Sequence, residues 1–153
     1  MENKLPRGLR NCNPLNIRTT GTRWRGLAEK SEDPSFCTFV SLAYGYRAAW
    51  IILSNYLLWL AQHGKPFCIK EIISRWAPAT ENNTRAYINK VCKLTDIEPT
   101  TLLKSPMLDP ENFISIISAM TCVENGIRMY QVPEEDIKAG YRLAFGKAAK
   151  DLT

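Results

Sequence analysis

The feature that most constrains the fold of this chain is an apolar segment, Leu42–Gln62. Its large side chains at helical spacing are Trp50, Leu53, Tyr56, Leu57 and Leu60. This recurrence favours a helix, and a helix that is apolar nearly all round is typical of a domain centre. The run Ala48–Leu60 contains Ser54 and Asn55 and is too short to span a bilayer. We therefore predict a buried central helix and no transmembrane segment.

Helical patterns recur along the rest of the chain, whose 153 residues are 45% hydrophobic and fit one domain with a single core. Further helices are predicted at Ile69–Arg75, from residue 83 or 84 to Lys93, at Asp109–Val123 and at Pro133–Lys150. Residues 20–40 are the exception, because turn signals at Gly21, Gly26 and Asp33-Pro34 separate short segments. The predicted fold class is mainly α, of the α+β type, with one domain over residues 1–153 and a small β hairpin near the N-terminus.

Composition excludes several chemistries. His63 is the single histidine, so neither a His-rich zinc site nor a metalloprotease helix motif is possible. The eight glycines are scattered and form no phosphate-binding loop. The formal net charge of +5 suits an anionic polymer such as nucleic acid or bacterial cell wall, but no run of five basic residues supports nucleic acid. We predict no metal, no cofactor and no nucleic-acid partner.

The segment Arg10-Asn-Cys-Asn-Pro-Leu-Asn-Ile-Arg18 collects three asparagines close to the N-terminus. Asparagine side chains donate and accept hydrogen bonds and tolerate turns. The segment is therefore either a structural turn cluster or a polar wall for a hydroxyl-rich ligand such as a sugar. On the second interpretation the substrate-binding residues are Asn11, Asn13, Asn16, Arg18 and Trp24. We expect Asn16 to be more structural than Asn13, because it lies next to Ile17 and the following turn.

Glu124 is the candidate catalytic residue. On the helix that begins at Asp109 it follows Met120 by four positions and Ile117 by seven, so helical periodicity puts it on the apolar face. Apolar surroundings and the negative end of the helix dipole both favour a neutral carboxylic acid. General-acid cleavage of a glycosidic bond requires such an acid. The alternative is that Glu124 lies just beyond the apolar stripe and points to solvent.

Three further acids are candidates for a second carboxylate, the arrangement that most glycoside hydrolases use. Glu29 and Asp33 follow Trp24 in the predicted hairpin. Glu81 precedes Asn82 and Thr84. It is either an acid in a sugar groove or a favourable charge in the first turn of the next helix.

Five motifs together resemble a known family. In chain order they are R-N-x-N-P-x-N-I-R at 10–18, W-x-G at 24–26, F-x-x-F-x-S-x-x-x-G-x-R-A at 36–48, R-W-A-P-x-x-E-N-x-T-x-x-Y-I at 75–88 and E-N-G at 124–126. This set is similar to the phage-derived murein-lytic proteins of the lysozyme superfamily, which are virion-associated or prophage cell-wall hydrolases. The resemblance implies a lysozyme-like domain that cleaves peptidoglycan glycan strands, as a lytic transglycosylase or glycosidase, with Glu124 as general acid. Lytic transglycosylases use one Glu as acid and then as base, so a second acid is not required.

Two positions depart from the family pattern. Where the family has Asn and Gly, this chain has Cys12 and Leu15. We expect these residues to change the local backbone or to close a subsite in part. The alternative function is therefore a non-catalytic peptidoglycan-binding or virion structural protein. A murein peptidase is less favoured, because the chain has one histidine and no metal motif.

The N-terminus bears on where the protein works. Met1-Glu-Asn-Lys leads directly into the asparagine-rich segment, so we expect synthesis in the cytoplasm without a signal peptide. Action on the cell wall then requires non-classical release or incorporation into a phage-like particle. We expect the protein to be a monomer.

The cysteines provide a first test. Cysteines 12, 37, 68, 92 and 122 are odd in number and irregularly spaced, and all but Cys12 have an apolar neighbour. We predict free thiols in a reducing compartment. Titration of the denatured, non-reduced protein should find five reactive thiols per chain. Fewer than four would contradict this prediction and, with it, the cytoplasmic assignment.

Overall fold

Most of the residues that the computed structural model describes, 5–80 and 83–152, lie in helices or in the turns that join them. The α-helices of this described part are α1 (Arg7–Arg10), α2 (Leu42–Gln62), α3 (Ile69–Trp76), α4 (Thr84–Thr95), α5 (Pro110–Asn125) and α6 (Glu134–Phe145). Short 3-10 turns cover Met129–Gln131 and Gly146–Ala148. The mainly α character predicted from periodicity is confirmed.

Helix α2 lies at the centre of the core and has the predicted bounds. Ser41 caps its N-terminus, because the Ser41 hydroxyl accepts the Tyr44 backbone N–H at 3.3 Å and so satisfies a donor of the first turn. Trp50 is fully buried, and its Nε1 donates to the Ile137 carbonyl of α6 at 2.9 Å. The Trp50 ring also packs 4.9 Å from the Tyr141 ring, measured between centroids. Burial and these contacts join α2 to α6. No helix in the described part of the chain is both long and apolar enough to cross a membrane.

The predicted β hairpin over residues 20–40 is wrong, and with it the α+β fold class. The described residues contain no β-sheet, so the hairpin of the expected lysozyme-like domain is absent from them. Isolated antiparallel bridges stand in its place, and they join Arg18 to Phe36 and Leu27 to Phe39. Because a hairpin needs consecutive pairs between the same two strands, these bridges do not form one.

The physical reason is that residues 35–40 divide their backbone hydrogen bonds between two other segments. The Cys37 N–H donates to the Ile17 carbonyl at 2.9 Å, whereas the Val40 N–H donates to the Gly26 carbonyl at 2.7 Å. Positive φ angles at Gly21 (86°) and Gly26 (81°) turn the chain before either pairing extends. The turn signals of the sequence are therefore real, but they delimit a loop.

Four helices end at other residues than predicted, and of these α3 ends at Trp76 instead of Arg75 and α4 at Thr95 instead of Lys93. Helix α5 continues past the predicted end at Val123 to Asn125, and Gly126 follows it with φ 65°. Helix α6 ends at Phe145, because Gly146 has φ 54° and a 3-10 turn replaces the predicted continuation to residue 150. A residue with positive φ commonly ends a helix. The longer α5 includes Glu124 in its last turn.

All five cysteines are free thiols in the structure. Cys37, Cys68 and Cys122 are buried, and Cys12 and Cys92 are half-buried. Burial raises the pKa of the thiols of Cys12, Cys37, Cys92 and Cys122. Since the thiolate is the reactive form, we interpret these four cysteines as structural residues that are poor nucleophiles.

The contact between α2 and α6 can be tested at Gly140. A β-carbon at this position would lie 2.7 Å from Tyr46 Cβ and 2.8 Å from the Arg47 backbone nitrogen. Alanine is the better helix former by about 1 kcal/mol. We nevertheless expect Gly140→Ala to lower the free energy of unfolding by about 1–3 kcal/mol, because the helices must move apart. Denaturant unfolding followed by circular dichroism measures this change.

The matched control is Ala86→Gly in the first turn of α4, where the side chain is exposed and Asn83 still caps the backbone N–H of residue 86. It should lose about 1 kcal/mol. A neutral or stabilising Gly140→Ala would contradict the close approach of α2 and α6.

Candidate active site around Glu124

Glu124 is half-buried in the last turn of α5, and hydrogen bonds hold its carboxylate. Oε1 accepts from Asn16 Nδ2 at 3.0 Å. Oε2 accepts from the Tyr87 hydroxyl at 2.9 Å and from Trp76 Nε1 at 3.3 Å. The side chain therefore does not point freely to solvent. Donors from α3, α4 and the N-terminal segment converge on it.

The donors around Glu124 are neutral groups. Tyr87 is buried on α4. Burial, together with the adjacent charge of Glu124, raises the pKa of Tyr87 above its usual range, so its hydroxyl stays a donor. The indole and amide N–H groups of Trp76 and Asn16 do not titrate. Among the described residues no cation forms an ion pair with Glu124. The carboxylate is thus oriented without being neutralised.

The junction between α3 and α4 brings the aromatic donors to the site. Helix α3 ends at Trp76, and the Thr84 hydroxyl at the start of α4 donates to the Ala77 carbonyl. The side chain of Asn83 caps α4 by accepting a backbone N–H of its first turn at 3.1 Å. These contacts fix the start of α4, the helix that carries Tyr87.

Asn16 has a left-handed backbone, with φ 53°, and this conformation directs its amide toward α5. Its Nδ2 donates to the backbone carbonyl of Glu124 at 3.2 Å as well as to the carboxylate. The buried Oδ1 has no hydrogen-bond partner among the described residues and lies against Gly8, where a β-carbon would be 2.9 Å away. Since an amide oxygen would repel the carboxylate, the Nδ2 group has to face Glu124.

Asn13 holds the loop and does not reach the surface. It is fully buried, and its Nδ2 donates to the carbonyls of Ile17 and Cys37, each at 2.9 Å. Its Oδ1 accepts the Ile17 N–H at 2.9 Å. The expectation that Asn16 is the more structural of the two is therefore reversed. The side chain of Asn13 forms its hydrogen bonds with the backbone of the loop, whereas that of Asn16 donates to Glu124.

Asn125, the neighbour of Glu124, attaches the N-terminal segment to α5. Its Nδ2 donates to the Pro14 carbonyl at 2.7 Å and to the Thr121 carbonyl at 2.9 Å. Its Oδ1 accepts the Leu9 N–H of α1 at 3.2 Å. This buried amide keeps the loop that carries Asn16 beside the end of α5.

Two open grooves reach the residues that contact Glu124. The first, which we call the main groove, has a volume of ≈ 430 Å³. It is lined by Asn16, Ile17, Arg18, Thr20, Trp24, Ile52, Tyr56, Arg75, Trp76 and Pro78. The second, the side groove, encloses ≈ 460 Å³ and is lined by Asn83, Ala86, Tyr87, Lys90 and Val123. Asn16 and Trp76 belong to the main groove and Tyr87 to the side groove, so the partners of Glu124 connect the two.

The main groove contains three of the five predicted substrate-binding residues, Asn16, Arg18 and Trp24. Asn13 is buried below it. Asn11 lies in a different place, where its Nδ2 donates to Asp33 at 2.9 Å. The structure therefore brings Asn16, Arg18 and Trp24 together in one groove, and it places Asn11 and Asn13 outside that groove.

Of the candidate second acids, Asp33 and Glu29 are not brought to Glu124. Asp33 forms a bidentate pair with Arg7, at 2.6 and 2.7 Å, and this guanidinium holds the pKa of Asp33 well below its usual range. Asp33 therefore holds its own loop in place against Arg7. Glu29 is exposed, and it lines neither groove. Glu81 lies outside the described residues.

The two departures from the family pattern are accommodated by the fold. Leu15 is 1% exposed and belongs to the hydrophobic core, so it does not close a subsite of the main groove. Cys12 has φ 51°, in the left-handed region that asparagine tolerates better than most residues. The strain there falls on the backbone of the loop.

Trp76 and Tyr87, which both contact Glu124, are absent from the site that the sequence predicts. A signal is present, since both belong to the motif at 75–88. Large aromatic residues at helical spacing usually fill cores, and Tyr87 is buried on α4. Only the folded chain, in which α3 packs on α4 and α4 on α5, shows that the polar atoms of Trp76 and Tyr87 meet a carboxylate.

No protein-family model matches the chain. The chain is similar to Protein P5 of Pseudoalteromonas phage PM2, with 39% identity over 146 residues. That alignment covers 94% of this chain and 84% of the phage protein. Within the described residues no group of three or more His, Cys, Asp or Glu side chains could hold a metal ion.

The different roles of Asn13 and Asn16 can be measured by alanine substitution. Asn13→Ala leaves buried backbone groups of Ile17 and Cys37 unpaired, so we expect it to lower the free energy of unfolding by about 2–4 kcal/mol. Asn16→Ala removes a half-buried amide whose oxygen is already unpaired, and we expect a loss below about 1.5 kcal/mol. Thermal and denaturant unfolding test both variants. Equal losses would contradict this division of roles.

Proposed function

The chain belongs to the family of Protein P5 from Pseudoalteromonas phage PM2, and we propose that this phage-type protein cleaves the glycan strands of bacterial peptidoglycan. Glu124 is the general acid. One observation carries the proposal: the Glu124 carboxylate is oriented by donors that line two open grooves, Asn16 and Trp76 in the main groove and Tyr87 in the side groove. A polymer bound along both grooves would pass over this carboxylate.

The lining of the main groove suits a sugar. Trp24, Tyr56 and Trp76 offer aromatic surface on which the apolar face of a pyranose ring can stack. Asn16 and Thr20 offer donors and acceptors for hydroxyl groups. Sites for small polar ligands combine these features, a mostly apolar wall with a few placed polar groups.

The proposed reaction begins with transfer of a proton from the Glu124 carboxyl to the glycosidic oxygen. The bond between that oxygen and the anomeric carbon breaks, and the leaving sugar keeps the proton. The carboxylate then takes a proton from a hydroxyl of the remaining sugar as that hydroxyl attacks the anomeric carbon. Asn16, Trp76 and Tyr87 hold the carboxylate in place for both steps and strengthen their hydrogen bonds to it while it is charged.

This lytic transglycosylase reaction needs one carboxylate, in keeping with a site where Asp33 and Glu29 lie elsewhere. A hydrolase would add a water molecule and a second acid, for which Glu81 is the candidate. We further propose that the protein acts as part of a phage-like particle, since its relative is a phage protein.

A second candidate function is a non-catalytic protein that binds peptidoglycan or forms part of a virion. The observation that favours it is the hydrogen bonding of Glu124, because a carboxylate that accepts from Asn16, Trp76 and Tyr87 is also well suited to hold α3, α4 and α5 together. The two functions differ in whether Glu124 transfers a proton.

Glu124→Gln separates them. If Glu124 is the general acid, release of soluble fragments from purified peptidoglycan should fall by about a hundredfold or more, since a positioned acid typically contributes ~10²–10⁴ in rate. We expect the free energy of unfolding to fall by only about 1–2 kcal/mol, because the Gln amide cannot accept from every donor. Glu111→Gln, exposed at the start of the same helix, is the matched control and should keep full activity.

Mass analysis of the fragments then identifies the reaction. Anhydro ends identify a lyase, new reducing ends a hydrolase and new free amines a peptidase. A Glu124→Gln variant that retains activity would rule out the assignment of Glu124. A wild-type protein that binds glycan strands without cleaving them would favour the non-catalytic function.

A further inference from the structure

The main groove carries positive charge that no residue in the described part of the chain neutralises by an ion pair. Arg18 and Arg75 line it, and none of the aspartates and glutamates within 5–80 and 83–152 does. Among the described residues neither arginine forms an ion pair. Arg7 differs from both, because its guanidinium forms an ion pair with Asp33 at 2.6 Å.

Aromatic rings hold both guanidinium groups in place. The Arg75 guanidinium lies 3.6 Å from the centroid of Trp59 and 5.3 Å from that of Tyr56. The Arg18 guanidinium lies 5.2 Å from the centroid of Phe36. Stacking covers a face of a guanidinium and leaves its N–H edge free, and this edge matches a carboxylate in a bidentate geometry.

Both arginines are next to partners of Glu124 in the sequence. Arg18 follows Asn16 by two residues, and Arg75 directly precedes Trp76. The negative charge of Glu124 would repel an anionic ligand, and cations on the same groove offset that repulsion. Exposed Lys90 lines the side groove, so each of the two grooves has a cation in its lining.

We infer that Arg18 and Arg75 form a carboxylate-binding site in the main groove, which selects acidic glycans over neutral ones. This inference rests on the proposed function and names the part of the strand that the groove recognises. In peptidoglycan a carboxylate is present either on the lactyl ether of a sugar or on the stem peptide. A neutral polymer of N-acetylglucosamine carries neither.

Binding of end-labelled glycan strands, measured by fluorescence polarisation, tests the site in a Glu124→Gln background that prevents turnover. The ligands are intact strands, strands stripped of peptides by an amidase, the stripped strands with their carboxylates converted to methylamides, and chitin oligomers. We expect the stripped strands to bind about tenfold more tightly than their methylamides, with an advantage that shrinks as salt is added. Chitin oligomers should bind like the methylamides.

Arg18→Gln and Arg75→Gln should each reduce this preference by about two- to fivefold, and the double variant should abolish it. Arg142→Gln on α6, exposed and outside both grooves, removes the same charge and should keep the preference. Arg18 is exposed, so Arg18→Gln keeps the test informative if Arg75→Gln unfolds the protein. Circular dichroism establishes which variants are folded.

The outcomes separate this inference from the proposed function. Equal binding of intact strands, stripped strands and methylamides, or a preference that survives in the double variant, overturns the carboxylate site and leaves glycan cleavage standing. An arginine-dependent preference found only with intact strands supports the site and assigns the carboxylate to the stem peptide. Failure to bind any of these glycans overturns both.

Discussion

The docking of the N-terminal segment on the end of α5, through two buried asparagine amides, is the interaction on which the rest of the site depends. Asn13 closes the loop on itself and Asn125 attaches it to α5. Gly8 permits the contact, since a β-carbon there would lie 2.6 Å from Asn125 Oδ1. Buried amides of this kind are stable only when they are hydrogen-bonded, so the loop and the helix end form one unit.

That unit gives Glu124 its environment. The carboxylate is held by neutral donors, while the positive charge of the main groove lies on Arg18 and Arg75. The groups that orient the carboxylate are therefore separate from the charged groups, and under the proposed function the charged groups attract an anionic polymer.

Periodicity was sufficient for the long helices, because the apolar stripe of α2 repeats over many turns and packing reinforces it. The same reasoning found Glu124, which follows Met120 on a continuous face of α5. It failed for residues 20–40, where turn residues are compatible with a hairpin or with a loop. Which segments pair there depends on residues 17–19, which approach 35–40 only in the folded chain.

The sequence alone determined a mainly helical fold, a buried α2, and a glutamate at the end of an apolar helix. Each of these follows from the spacing of residues along a single element. Only the tertiary structure decided that Asn16, rather than Asn13, reaches Glu124, and that Trp76 and Tyr87 complete its hydrogen bonding. Those partners come from separate elements. Their meeting is set by how the elements pack, which spacing within one element does not encode.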